Sequence, residues 1–111
     1  MNEQTSQEIQ EIEISIEQAR EVVELKDAIF RLMKNEDFKK VIDVGYFSNE
    51  SRRLVGLLAQ PSVNDTNKVY ESLMGISRLE EYLRVAILQG KAMEQQIESS
   101  NQVLADIANE Q

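Results

Sequence analysis

From Val69 onward the chain repeats every seven residues: Val69, Ile76, Leu83, Gly90, Ile97 and Leu104 hold one position, and Ser72, Leu79, Ala86, Met93, Ser100 and Ile107 the companion three residues on. This pattern restricts the fold more than any other feature. A straight helix drifts by about 20° per heptad against a strict seven-residue repeat, so such a seam stays on its partner only if the helices supercoil. The spacing predicts a long helix over 64–108 that pairs along these positions. Ala86, Gly90 and Ser100 are small and would let a partner backbone come close. Taken alone, Gly90 marks a weak point where the helix would kink, at a cost of about 1 kcal/mol relative to alanine.

The N-terminal stretch EIEISIEQAREVVE poses a choice, because EIEISI alternates as a half-buried strand would. Beyond it the apolar positions follow a heptad instead, with Ile9, Ile16, Val23 and Phe30 in one position and Ile12, Ala19 and Met33 in the companion. Only Lys26 breaks this seam. Val22, Leu25, Ile29 and Leu32 form a second stripe that widens the apolar face towards a larger core. The reading is therefore a long helix over 6–34. Two capping boxes compete for its start, Thr5 with Glu8 and Ser15 with Gln18, the latter with Ile14 as hydrophobic staple. Residues 1–14 are accordingly either helical or an extended arm.

Breaks are expected at Asn35 to Asp37, Val44 to Ser48 and Gln60 to Asn67. Gly45 follows Val41 and Ile42 as a left-handed glycine follows a helix end. Ser48 would then cap a helix that stops before Pro61, the single proline. Ser62, Asp65 and Thr66 are all candidate caps for the last helix. The expected architecture is one all-α domain over 1–111: a long antiparallel helical hairpin or coiled coil, with two short helices, 36–44 and 48–59, at the connecting end. The sequence leaves open whether the heptads pair within one chain, with Glu17, Glu21 and Glu24 near Arg78 and Arg84, or between chains.

Composition removes most chemistry. The chain has neither histidine nor cysteine, which excludes Ser-His and Cys-His nucleophile pairs, zinc sites built on those ligands, and Glu-x-x-His di-iron bundles. No phosphate loop, EF-hand or dinucleotide motif is present, and Glu80 and Glu81, as helix neighbours, do not face each other. The expectation is a protein that is not an enzyme and carries no cofactor and no metal. No apolar run approaches the roughly 18 residues that cross a bilayer, and MNEQTSQEIQ lacks the basic and apolar segments of a signal peptide. No membrane association is expected.

The net charge of −8 is unevenly spread. Up to residue 24, seven glutamates face only Arg20, whereas residues 25–53 carry Lys26, Arg31, Lys34, Lys39, Lys40, Arg52 and Arg53 against five acids. A tight turn at Gly45 would gather Lys39, Lys40, Arg52 and Arg53 into a docking site, unless they pair locally with Asp37, Asp43 or Glu50. Phe38 and Phe47 read as core of the short-helix end, with Tyr46 more open. The acidic total disfavours nucleic acid as the partner.

The segments RLMKNEDFKKVIDVGYFSNESRRLVGLLAQPS and GISRLEEYL resemble small helical proteins carried by tailed bacteriophages. The resemblance covers most of the chain from about Ser15 and carries no catalytic residues over. It implies a virion or assembly component that self-associates or binds another phage structural protein, in the host cytoplasm or the virion. The alternative it implies is an inhibitor or adaptor that binds a host protein. The residues expected to make the contact are Ile76, Leu79, Leu83, Ala86, Gly90, Met93 and Ile97 on the seam, with Lys39, Lys40, Arg52 and Arg53 at the basic end.

Overall fold

The structure is a computed structural model that describes residues 2–60 and 65–110. It is all-α among those residues. Helix α1 spans Glu3–Met33, α2 Glu36–Phe38, α3 Ser51–Leu58 and α4 Thr66–Asn109, with a π-helical stretch, Lys39–Glu50, between α2 and α3. The chain packs as two units, residues 1–28 with 86–111, and residues 29–85.

In the first unit, α1 and α4 lie antiparallel. Ser15 meets Gln96, whose Nε2 donates to the serine Oγ at 3.3 Å, and further along α1 Lys26 meets Gly90 and Glu94. The seam reads as the heptads require: Ile16, Ala19, Ala86 and Gly90 are buried, and Ile9, Ile12, Val23, Met93, Ile97, Leu104 and Ile107 are half-buried. EIEISI is helical. Neither capping box starts α1, because Asn2 does so: its Oδ1 accepts from the Thr5 N–H at 2.7 Å, which satisfies one of the free donors of the first turn. The second stripe is only partly used. Ile29 is buried and Val22 half-buried, but Leu25 and Leu32 are exposed, as is Met33.

In the second unit, Leu54, Val69 and Ile76 form the buried centre, with Tyr46, Phe47, Leu57, Leu58 and Leu73 packed against it. Tyr46, expected in the open, belongs to this core and stacks obliquely on Phe47 with ring centroids 6.0 Å apart. Ser72 is exposed and Leu73 takes its place in the contact. Asp65 supplies the cap of α4, its Oδ1 accepting from the Lys68 N–H at 3.1 Å. The candidate cap Ser62 and the stop at Pro61 lie outside the described residues.

The expected break at Val44 to Ser48 does not form, and the two short helices are one. Asn35 ends the turn after α1 and caps the new helix, accepting from the Phe38 N–H at 2.9 Å. From there the chain is helical without interruption over 36–58. Gly45 does not take a positive φ, so it is no helix terminator. The physical reason lies in the spacing of the inward residues. Beside Asp43, Gly45, Tyr46 and Glu50, the row Phe38, Ile42, Phe47 and Ser51 is partly buried, whereas Ser48 and Asn49 are exposed. A separation of four or five residues exceeds the 3.6 of an α-helix and matches the wider π turn, with its i→i+5 bonds. The wider winding keeps both Ile42 and Phe47 inward.

Two residues fit this stretch specifically. A Cβ on Gly45 would stand 3.0 Å from the Lys40 carbonyl oxygen five residues back, tighter than an ordinary contact. Where π winding gives way to α, the Ser51 hydroxyl donates to the Phe47 carbonyl at 2.7 Å, and the Ser51 N–H bonds to the Ser48 carbonyl. Replacing Ser51 with alanine should cost about 1 kcal/mol, the ordinary net worth of such a bond, read as a lower urea midpoint at unchanged slope. Gly45→Ala should yield none of the roughly 1 kcal/mol that the same change adds in an open α-helix; a stabilised melt would show that the π turn has room for the methyl.

Candidate interaction sites

The first site is the seam between α1 and the C-terminal half of α4. It is made by a residue that breaks the apolar heptad pattern. Lys26 occupies an inward position of α1 and is only 6% exposed. Its aliphatic stem lies in the space left by Gly90: a Cβ there would collide with Lys26 Cβ and come within 2.9 Å of its Cγ and Cδ. The ammonium is ion-paired with Glu94, one turn further along α4, and with Asp27 Oδ1 at 3.3 Å. A buried charge is tolerated only with such partners, because desolvation costs several kcal/mol per ion. The helix continues through Gly90, which makes the slot for a long side chain.

Of the residues expected to carry association, Ala86, Gly90, Met93 and Ile97 lie on this seam and pack within the chain. Ile76 is part of the buried centre of the second unit, and Leu79 and Leu83 are half-buried. The heptads from Ala86 onward are thus engaged by α1, and Val69 and Ile76 by the core of residues 29–85. Of the acids expected to reach across, Glu17 pairs locally with Arg20 at 3.3 Å, and the expected partner Arg84 pairs with Glu81 at 3.8 Å.

The second site, the basic end, is not assembled. Its premise was a turn at Gly45, and without that turn Lys39 and Lys40 stand roughly three helical turns from Arg52 and Arg53. Most of these cations are also engaged nearby. Lys39 pairs with Glu36 at 3.3 Å, Arg52 donates to Ser48 Oγ at 3.4 Å, and Arg53 grips both carboxylate oxygens of Glu50, with its Nε at 3.1 Å. The Arg53 hydrogen bond, helped by charge attraction, holds the Glu50 carboxyl below the ordinary glutamate value and Arg53 above the ordinary arginine value.

The third feature, which the sequence reading did not single out, is the outer face of the π-helical stretch. Val41 is 62% exposed and Val44 54%. Beside them an open concavity of about 360 Å³ is lined by Val41, Ile42, Gly45, Tyr46 and Glu50. The spacing of the valines carried the signal, but a helix broken at Gly45 would have hidden it. Among the described residues, no group of three or more acidic side chains is placed to hold a metal ion, and no helix is long and apolar enough to cross a membrane. Comparison with protein-family models, curated proteins and solved structures gives no match.

Two outcomes follow from these sites. Gly90→Ala should lower stability by about 1–3 kcal/mol through overpacking, despite alanine's better helix propensity. In a Lys26→Ala background the same change should stabilise, a reversal of sign that a thermal-melt double-mutant cycle detects. For Glu50, a lowered folded pKa means that its contribution is present above the unfolded value of about 4.3 and is lost as pH falls through the folded value. Carboxyl chemical shifts should place the Glu50 midpoint below those of other glutamates, and Arg53→Gln should return it to them.

Proposed function

We propose that this chain is a non-enzymatic helical interaction protein, a bacteriophage virion or assembly component that associates with further copies of itself. The observation that carries the reading is the distribution of apolar surface left after the in-chain packing is complete. Twelve large apolar side chains are at least 37% exposed among the described residues. Eight of them, Leu32, Met33, Val41, Val44, Val55, Tyr70, Met74 and Tyr82, belong to residues 29–85. Scattered exposure is ordinary, so the reading rests on Val41 and Val44, three residues apart, each more than half exposed and beside an open concavity. The phage setting rests on the resemblance of RLMKNEDFKKVIDVGYFSNESRRLVGLLAQPS and GISRLEEYL to helical phage proteins.

Association through this surface leaves the heptads as they are. Association through Ile76 would instead require the core of residues 29–85 to open. Sedimentation at micromolar concentration distinguishes the routes. The wild-type chain should be oligomeric, Val41→Glu/Val44→Glu should be monomeric with unchanged helicity, and Leu83→Asp should lose helicity. A wild-type chain that sediments as a monomer overturns self-association. Mass spectrometry of purified particles should find the chain in abundance; a stoichiometric host protein captured from lysate, with none in particles, would replace this reading with that of a host-directed inhibitor or adaptor.

A further inference from the structure

We infer that Lys26, seated in the slot of Gly90 and tied to Glu94 and Asp27, is a register key: it selects one alignment of α1 on the C-terminal half of α4 from those the heptads alone would permit. The argument rests on repetition. A seam of apolar residues every seven positions is nearly as well filled after a slip of one heptad, about 10 Å along the axis. Ile16 or Ala19 would still meet apolar side chains. Lys26 would not. Moved by seven residues, it would face Leu83 or Ile97 in place of glycine, with its stem overpacked and its ammonium taken from Glu94. Only one alignment offers both a gap for the stem and a carboxylate at its end. Pairing α4 with a second α4 would leave Lys26 without either. A single polar residue on a coiled-coil seam is the best-attested means of fixing register, at a cost in stability. The inference is independent of the proposed function, since it concerns pairing inside the chain.

The chain has no cysteine, so introduced thiols report alignment directly. Ser15→Cys/Gln96→Cys marks the observed register, and Ser15→Cys/Gln89→Cys a slip of one heptad. With a short bifunctional maleimide at high dilution, only the first pair should cross-link in the wild-type background. With Lys26→Leu the helicity should be retained and the melting temperature equal or higher, yet both pairs should now cross-link. Lys26→Met, which keeps the length of the stem, provides a second background. Cross-linking confined to Ser15→Cys/Gln96→Cys in both backgrounds would overturn the inference, because register would then be set elsewhere. Loss of helicity in both would overturn it as well, by making Lys26 a requirement for folding and not for alignment.

Discussion

A lysine buried between two helices needs room for its stem, an acceptor for its charge, and an alignment that presents both together. Gly90 and Glu94 provide these for Lys26, and the pairing of α1 with the end of α4 depends on that match. The cohesion comes from elsewhere. Ile16, Ala19 and Ala86 are buried, and Met93 and Ile97 are half-covered; each large apolar side chain fully withdrawn from water contributes about 1.5–3 kcal/mol. Against this the ion pair gives little net stabilisation, since desolvation offsets most of its attraction. Apolar residues hold the helices together, and the polar triad of Lys26, Asp27 and Glu94 decides how they lie.

Residues 29–85 meet a different constraint. Here a helix of three windings must bring Tyr46, Phe47, Leu54, Leu57 and Leu58 towards Val69, Leu73 and Ile76. The apolar residues near Gly45 are spaced too widely for an α-helix and too closely for two helices with a turn between them. The chain resolves this by unwinding into π turns over Lys39–Glu50 and returning to α at Ser51, whose hydroxyl is bonded to a carbonyl at the junction. The same widening carries Val41 and Val44 outward, so core packing and surface exposure share one backbone cause.

Much of this was legible in the sequence. The heptads of 69–107 located the α4 seam because burial repeats with the same period, and the resolution of EIEISI as helix followed from Ile9, Ile16 and Val23. The Asn35 break was legible from side-chain chemistry, and the Asp65 cap was one of three that the sequence left open. Lys26 was visible only as an interruption, since its justification lies on another helix more than sixty residues away. The signal existed, in that the one glycine of the α4 seam is followed four residues later by a glutamate. Gly45 misled because a glycine after an apolar pair has two uses. Only the inward spacing of Phe38, Ile42, Phe47 and Ser51 separates a π turn from a helix end. The basic site failed with it, since four cations gathered by a turn disperse when the turn is a helix.

The π-helical stretch also bears on how this chain tolerates changes in its length. In α4 the loss of one residue would rotate everything beyond it by about 100° and turn the seam away from its partner. Within Lys39–Glu50 the backbone already carries more residues per turn than an α-helix requires. A single deletion there can be absorbed by tightening i→i+5 bonds to i→i+4, while Leu54 and Leu58 keep their direction. The segment is a store of surplus chain, and it marks where related sequences can differ by one residue without disturbing the core beside it.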